Sequence, residues 1–476
     1  MRRGVGAVAV ALVVAACAGP ASLPRGAQRP SRVTVTVYVT DPAHLSDGMQ
    51  VVAPGAGPAA PVIDVDDHVR FQVIDGFGAS LTDSSAWLIA ASANRDALMS
   101  ELFDPMNGIG ISLLRQPIGG TDYTTRGFYT YDDVEPGDAD PTLGRFSIDA
   151  DREYTIPLLR QALALNPALR IIASPWSPPA WMKSNGDVSD GELDPGAETA
   201  YAAYIARFVD AYTSAGVPVY AVTPGTEPVS WMKRTAPHLT MSREQQAELV
   251  RDHLAPALAA LTPKPRLLVF DDNIASTHPA FAGYAEDLLA DPVAGAMIDG
   301  AAVHCYFGGL ADLTDWHARF PTKDAYVTEC SSGIEDGAYD GHMVDALIDG
   351  SRNWARGVVL WNVALDEDNG PYVDGCDGRC TPLLTIGSDG SLVRRLDFYA
   401  LAHFTHFVRP GAWRVASTVV DEINSVAFAN ADGSAVVVVH NTSSEQRVVT
   451  ARLRGTTASQ ALPPGAIATF VSTSDG

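Results

Sequence analysis

The sequence of 476 residues predicts a closed parallel (β/α)8 barrel, a TIM barrel, with a second, smaller antiparallel β-sandwich domain. Eight short apolar runs lie between residues 71 and 365, separated by polar loops and helix-like segments. From about residue 413 the sequence changes to short β-rich runs without helical periodicity. Strands that alternate with helices are typical of a barrel, and clustered short strands without helices are typical of an antiparallel β domain.

The predicted barrel strands are apolar runs with polar residues near their ends. They are FQVIDGFGAS (71–80), IGISLLRQPI (109–118), LRIIASPW (169–176), VPVYAVTP (217–224), RLLVFDD (266–272), GAAVHCYF (300–307), AYVTECS (325–331) and GVVLWNVAL (357–365). The segments 198–216 and 242–261 have the spacing of amphipathic helices. An open doubly wound sheet normally has fewer strands and a G-x-G-x-x-G fingerprint, which this sequence lacks. We therefore assign residues 71–398 to the barrel.

The regions that flank the barrel predict β structure. We assign residues 399–476 to the β-sandwich, where Asp432-Gly433 lies between two runs as a hairpin signal. The alternating run 32–40 predicts a further strand. We expect the segment 32–70 to pair with the β domain.

The N-terminus has the features of an export signal. Two arginines precede a short apolar stretch that ends in Val-Ala-Ala-Cys, which resembles a bacterial lipoprotein cleavage box. We therefore expect a lipoprotein-type signal peptide over residues 1–17, lipidation of Cys17 and a flexible tether over residues 18–31. The implied location is the outer side of a bacterial cell membrane. Cleavage at a nearby small-residue site and plain secretion form the alternative.

The excess of acidic over basic residues limits which classes of binding partner are expected. The chain has 33 basic and 56 acidic residues, a net charge of −23. Such a surface repels phosphate backbones and disfavours broad anionic membranes. We expect no nucleic-acid partner and membrane contact only through the N-terminal lipid.

The five cysteines are too few for a disulfide scaffold. Cys376 and Cys380, in the sequence CDGRC, are candidates for a small-loop disulfide in an exported protein. A metal site is not expected there, because no second Cys or His pair at ligand spacing accompanies them. Cys305 and Cys330 lie in apolar runs, and we expect buried thiols at both positions.

Polar and aromatic residues collect where the predicted strands end, which is where barrel enzymes carry their chemistry. The runs lead to Arg115 and Asp122, Trp176, Glu227 and Trp231, Asp271, His304 and Tyr306, Glu329, and Trp361. Acids and tryptophans at one rim are typical of a carbohydrate cleft, because sugars offer flat apolar faces to indole rings and hydroxyls to carboxylates.

Glu227 and Glu329 end the fourth and seventh runs, so a barrel would bring them to one mouth. Cleavage of a glycosidic bond uses such a pair, one carboxyl as acid and one as nucleophile. For each glutamate, the alternative to a catalytic role is a surface acid. For Arg115 the alternative is a salt bridge at the bottom of the barrel, and for His304 it is a hydrogen-bonded histidine in the core.

Seven motifs in order resemble glycoside hydrolase family 30, and most of all its glucosylceramidase (glucocerebrosidase-like) branch. They are DGFGASLTDSSAW, LLRQPIGGTDYTTRGFYTYDD, IIASPWSPPAWMKSNG, YAVTPGTEPV, GAAVHCY, YVTECSSG and LWNVALDEDNGP. The resemblance extends from about residue 71 to 410, and the β domain also fits. It implies a (β/α)8 barrel with a side β domain, and hydrolysis with retention of the anomeric configuration, without a metal or organic cofactor.

The resemblance also implies residue roles. Glu227 matches the family's acid/base and Glu329 its nucleophile. Asp122 and Trp176 match residues that bind the sugar in the −1 subsite. The positions around the nucleophile and the sugar ring are matched by Arg115, His304, Tyr306 and Trp361.

One position departs from the family pattern. Thr226 stands where the family has the asparagine of Asn-Glu-Pro, which is expected to donate to the sugar 2-OH. Three interpretations follow: an active enzyme in which another group compensates, an enzyme for a sugar that differs at position 2, and a surface glycan-binding lipoprotein with weakened catalysis.

The function that the sequence predicts is a retaining β-glycosidase, most like a β-glucosidase or glucosylceramidase. The expected substrate is a β-linked glucoside, glycolipid or β-1,6-glucan, with β-xylosides and β-fucosides as alternatives. Exo or endo action and the oligomeric state stay open.

Overall fold

The computed structural model describes residues 1, 33–55, 61–229, 235–334, 339, 342–373 and 376–474. The predicted signal segment with Cys17, the tether and Trp231 lie outside these residues, apart from Met1. Within the described part of the chain, no helix combines the length and the apolar character that crossing a membrane requires.

Three strands precede the barrel: β1 (Val33–Thr40), β2 (Gln50–Val52) and β3 (Val62–Val73). β1 pairs antiparallel with β2 and with the last strand of the chain. β3 pairs with strands from the C-terminal region on both of its sides. The N-terminal segment is therefore part of the β domain.

Eight parallel strands then close into a barrel in chain order. They are β4 (Gly76–Ser80), β5 (Leu113–Ile118), β6 (Arg170–Pro175), β7 (Ala221–Val222), β8 (Arg266–Asn273), β9 (Gly300–His304), β10 (Asp324–Glu329) and β11 (Ala355–Leu360). Each lies within or overlaps one of the eight apolar runs, so the predicted (β/α)8 barrel is confirmed. The predicted start of the first barrel strand at residue 71 is wrong, because residues 71–73 end β3 and the barrel strand begins only at Gly76.

The barrel interior is filled with side chains and closed at one end by an ionic cluster. Seven of the eight strands contribute one buried residue each to a central layer: Leu113, Ile172, Ala221, Leu268, Ala302, Tyr326 and Val359. Asp75, which precedes β4, accepts two 2.9 Å hydrogen bonds from Arg356 and one of 3.0 Å from Tyr220. Asp75 therefore belongs to the bottom of the barrel, and the opposite mouth is left for chemistry.

Helices cover the barrel and pack on it through one large apolar core. They are α1 (Asp83–Ala91), α2 (Arg95–Phe103), α3 (Thr155–Leu165), α4 (Glu198–Ser214), α5 (Arg243–Glu248), α6 (Ala255–Ala259), α7 (Tyr284–Ala290), α8 (Ala294–Met297), α9 (Asp312–Arg319), α10 (Met343–Arg352) and α11 (Leu396–Thr405). Side chains start some of them: Thr82 accepts a hydrogen bond from the Ser85 N–H, and Ser242 forms a capping box with Gln245.

A small sheet follows the last barrel strand and supports the loop between its first two strands. Its strands are β12 (Ala364–Leu365), β13 (Leu384–Ile386) and β14 (Leu392–Arg394). In the loop from residue 366 to 383, the sulfur atoms of Cys376 and Cys380 form a disulfide.

The C-terminal region adds β15 (Trp413–Ser417), β16 (Ile423–Ala429), β17 (Ala435–Asn441), β18 (Arg447–Leu453), β19 (Thr456–Leu462) and β20 (Ile467–Ser474). With the three N-terminal strands they form one nine-stranded sheet, in which the strand order is β19-β18-β3-β15-β16-β17-β20-β1-β2. These strands enclose a separate apolar core. The predicted second β domain is confirmed; its pairs are antiparallel except that β18 and β3 run parallel.

Candidate active site

Two glutamates from separate strands meet at the mouth of the barrel. Glu227 follows β7, and Glu329 is the last residue of β10. One carboxylate oxygen from each glutamate and one ring nitrogen of His304 lie within 4.8 Å of one another. The fold therefore joins two acids that are 102 positions apart in the sequence.

The backbone around Glu227 adopts uncommon conformations. Glu227, Phe270 and Asp271 have φ values of 47°, 76° and 60°, which cost free energy in residues other than glycine. The Glu227 N–H donates to the Asp271 carbonyl at 2.8 Å and so joins the two segments. The surrounding structure imposes these conformations, and they set the direction of the Glu227 side chain.

Arg115 is the centre of the polar network. Its guanidinium is fully buried and donates to Glu329 Oε2, to Asp271 Oδ2 at 2.9 Å, to Thr226 Oγ1 at 3.2 Å and to Ser174 Oγ at 3.3 Å. A buried guanidinium requires such partners, because an unpaired charge would be strongly destabilising. Arg115 therefore orients Glu329 and stabilises its negative charge.

His304 connects the two sides of the site. Its Nδ1 lies 3.2 Å from Glu227 Oε1, and its Nε2 lies 3.2 Å from Asp271 Oδ1. Burial by itself lowers the pKa of His304, but the carboxylates of Glu329, Asp271 and Glu227 raise it to about 10. The imidazole is therefore positively charged at neutral pH and donates from both nitrogens.

Asp271 lies near the end of the fifth apolar run, and the sequence assigns it no catalytic or binding role. Besides Arg115 and His304, Thr223 Oγ1 and Thr328 Oγ1 donate to it at 2.9 and 2.6 Å. Burial opposes its charge, but the Arg115 guanidinium and His304 hold the pKa of Asp271 well below its ordinary value. Asp271 is thus a permanent anion that holds both cations in place.

Asp272, the next residue, also received no role from the sequence. It is buried and accepts the Val229 N–H at 3.0 Å, which anchors the turn just after Glu227. Burial, and then the negative charge of Glu227, raise the pKa of Asp272 to about 7. The Asp272 carboxyl can therefore hold a proton near neutral pH beside Glu227.

Aromatic side chains form the rest of the pocket. Tyr306 Oη donates to Glu329 Oε1 at 2.8 Å. Burial and the charges of Glu329 and Glu227 raise the pKa of Tyr306 well above its ordinary value, so the phenol keeps its proton. Trp176 and Trp361 stack with ring centroids 5.3 Å apart, and the Arg115 guanidinium lies 4.5 Å from the Trp176 ring centre.

The other two residues predicted for the site lie in different settings. Thr226 is buried, and its hydroxyl is engaged as an acceptor for Arg115. Asp122 is half-buried on the loop after β5, where its carbonyl accepts the Val373 N–H at 2.7 Å.

The expectation of buried thiols at Cys305 and Cys330 is wrong, because the two residues form a disulfide. Cys305 directly follows His304 and Cys330 directly follows Glu329, on neighbouring strands. Both cysteines are buried. The sequence did not show the pairing, because the register that places Glu329 opposite His304 is set only in the folded barrel.

The acidic oxygens and His304 are close enough together to surround a cation. Positive charge is already supplied at this point by Arg115 and by the protonated His304. The arrangement therefore suits proton transfer and nucleophilic attack at a carbon that develops positive charge.

A barrel mouth with two opposed carboxyls, a charged orienting network and stacked indoles defines a glycoside hydrolase. Residues 74–408 match the model of the glycosyl hydrolase family 30 TIM-barrel domain, and residues 411–470 match that of the family 30 beta sandwich domain. The chain belongs to glycosyl hydrolase family 30.

Relatives of known name cover most of the chain. An endo-1,6-beta-D-glucanase of Neurospora crassa is 30% identical over 80% of this chain and 81% of its own length. The lysosomal acid glucosylceramidase of Mus musculus is 32% identical over 79% of this chain and 76% of its own. The solved structure of an endo-beta1,6-glucanase is 27% identical, covers 92% of this chain and 99% of that one, and has a TM-score of 0.83.

The Glu227–Asp272 pair gives a testable pH dependence. Asp272→Asn removes a negative charge from beside Glu227. The acid that donates the catalytic proton should therefore lose that proton at lower pH. The alkaline limb of the kcat/KM profile should move to lower pH by about one unit. Rates on an aryl β-glucoside between pH 4 and 9 measure this shift.

Asp299→Asn is the matched control, because the Asp299 carboxylate accepts the Leu267 N–H at 2.9 Å near the other end of β8. It should leave the limb in place. An unmoved limb in Asp272→Asn would contradict the coupling.

Proposed function

We propose that the chain hydrolyses a β-1,6-linked glucan, or another β-linked glucoside, by double displacement with retention of configuration. The observation that carries the proposal is the pair of carboxylate oxygens from Glu227 and Glu329, which lie within 4.8 Å of each other. Carboxyl groups of retaining enzymes are about 5–5.5 Å apart, whereas inverting enzymes leave about 6.5–9.5 Å for a water molecule. The short separation supports direct attack by one carboxylate.

In the first step an oxygen of Glu329 attacks the anomeric carbon and forms an ester bond to it. The bond between that carbon and the leaving oxygen breaks, and the leaving oxygen takes the proton of Glu227. In the second step water attacks the anomeric carbon and gives its proton to Glu227. The ester bond then breaks, and the sugar leaves with its β configuration retained.

The charges around the reacting carbon balance throughout the first step. Before it, Asp271 and Glu329 carry negative charge opposite Arg115 and His304. After it, Glu329 is an ester and Glu227 is ionised, so two anions still face two cations. This balance favours the transfer, because no net charge accumulates in a buried pocket.

The choice of substrate rests on the relatives. Endo-1,6-beta-D-glucanase is the name both of the Neurospora relative and of a Trichoderma harzianum relative that is 32% identical. The structure with a TM-score of 0.83 also carries that activity in its name. A glucosylated lipid is the second candidate, favoured by the mouse glucosylceramidase at 32% identity.

Substitution of each glutamate by glutamine tests the mechanism. Glu329→Gln should reduce turnover to the detection limit, because no nucleophile remains. Glu227→Gln should reduce kcat on β-1,6-glucan by about 10²–10⁴-fold. It should affect dinitrophenyl β-glucoside less, because a good leaving group needs little protonation.

Glu422→Gln is a matched control, since the Glu422 carboxylate is exposed in the β-sandwich. It should behave as the wild type. Equal losses on both substrates in Glu227→Gln would contradict the acid role. NMR detection of the α-anomer as first product would contradict retention.

Thr226 tests the identity of the sugar in the −1 subsite. Thr226→Asn should raise kcat/KM on an aryl β-glucoside roughly tenfold, equivalent to about 1.4 kcal/mol. The asparagine oxygen can accept from Arg115 while its amide donates to the sugar 2-OH. Thr226→Val is the control that removes the hydroxyl without adding a donor.

An unchanged or lower rate in Thr226→Asn would favour another glycone, such as a β-xyloside or β-fucoside. A wild type that hydrolyses none of these and is not labelled by a 2-fluoro glycoside would favour the glycan-binding alternative.

We also propose that the enzyme is exported and anchored through a lipid on Cys17, on the basis of the residues that precede it. In the expression host, Cys17→Ser should move the protein from the detergent phase to the aqueous phase of a Triton X-114 partition. Detection of the wild type in the aqueous phase, without incorporated palmitate, would contradict the anchor.

A further inference from the structure

A series of aromatic rings leads from the buried part of the site to its rim. Trp176 stacks on Trp361, the Trp361 ring lies 6.0 Å from that of Tyr123, and the Tyr123 ring lies 6.1 Å from that of Tyr372. The first three residues are buried, whereas Tyr372 is 41% exposed. Tyr372 is therefore the solvent-facing end of an aromatic cluster that begins beside Arg115.

The Tyr372 segment is held on several sides. The Val373 N–H donates to the Asp122 carbonyl at 2.7 Å, and Ser84 Oγ donates to the Pro371 carbonyl at 2.5 Å. Gly378 lies beside the hydroxyl end of the ring, where an added Cβ would stand 2.7 Å from Tyr372 Oη. Gly378 belongs to the loop that the Cys376–Cys380 disulfide closes. An exposed ring with this support loses little conformational entropy on binding.

The position of Tyr372 relative to Glu227 decides which side of the substrate it meets. β7, which leads to Glu227, is fourth in the ring of eight strands, and β11, which leads to Tyr372, is eighth. The contacts with Ser84 and Asp122 keep Tyr372 beside the loops after β4 and β5, the next two strands around the ring. Tyr372 therefore lies across the mouth from Glu227.

We propose that Tyr372 is the stacking platform of a −2 subsite, which binds a second β-1,6-linked glucose unit on the non-reducing side of the reacting sugar. The proposal rests on the proposed function, in which Glu227 protonates the leaving oxygen. The leaving group consequently lies on the β7 side, and the glycone extends toward β11. Binding of a second unit on this side allows cleavage within a chain and release of oligosaccharides, which endo action requires.

The chemistry of the linkage suits this position. In a β-1,6-glucan the next unit is joined through O6, which projects from the ring of the reacting sugar on a flexible carbon. The apolar face of that unit can pack on the phenol ring and bury apolar surface there. Tyr372 thus contributes to affinity for longer substrates.

Kinetics on 4-nitrophenyl β-gentiobioside and 4-nitrophenyl β-glucoside test the subsite, because only the first carries a β-1,6-linked second glucose. The wild type should have a kcat/KM at least about tenfold higher for the gentiobioside. Tyr372→Ala should lower this ratio roughly tenfold through KM, and Tyr372→Phe should keep it. Tyr372→Leu preserves side-chain bulk if the alanine variant does not fold.

Phe307→Ala is the matched control, since Phe307 is equally exposed at 40% but follows β9, the sixth strand. It should leave the ratio unchanged. An unchanged ratio in both Tyr372→Ala and Tyr372→Leu would overturn the subsite while leaving the glycosidase intact. A wild type that hydrolyses neither substrate would instead overturn the proposed function.

Discussion

The buried guanidinium of Arg115 is the constraint on which the rest of the site depends. Placing a full positive charge inside a barrel is strongly unfavourable unless hydrogen-bonding anions surround it. Its partners come from β6, from the segment after β7, from β8 and from β10. The barrel must therefore be closed and correctly aligned before Arg115 is satisfied. The same alignment orients Glu329, so stability of the barrel and geometry of the site have one cause.

The hydrogen-bond partners of each carboxylate at the barrel mouth determine its role. Asp271 is surrounded by Arg115, His304 and two threonine hydroxyls, and this holds it as an anion that does not react. Glu329 accepts hydrogen bonds from Arg115 and Tyr306, and its oxygens retain lone pairs for attack on substrate. Glu227 faces His304 and the buried Asp272, whose pKa lies near 7. One acid is thus fixed as an anion, one is available as a nucleophile, and one can exchange a proton.

Two disulfides cross-link the mouth of the barrel outside the hydrogen-bond network of Arg115. The Cys305–Cys330 disulfide joins the residues that directly follow His304 and Glu329, so the ends of β9 and β10 cannot separate. The Cys376–Cys380 disulfide closes the loop behind Tyr372. Both bridges cross-link segments at the mouth of the barrel and restrict the unfolded chain. Disulfides persist in oxidising environments, which agrees with the export proposed above.

The sequence by itself determined the fold class and the two glutamates, because strand and helix periodicity and the polar residues at strand ends are local signals. It also marked Arg115, His304, Tyr306 and the tryptophans through a family resemblance. Only the tertiary structure decided that Asp75 lies at the barrel bottom, that Asp271 and Asp272 differ in charge, and that Cys305 bonds to Cys330. These outcomes depend on the register between neighbouring strands and on which groups exclude water. Neither property is encoded within a short stretch of chain.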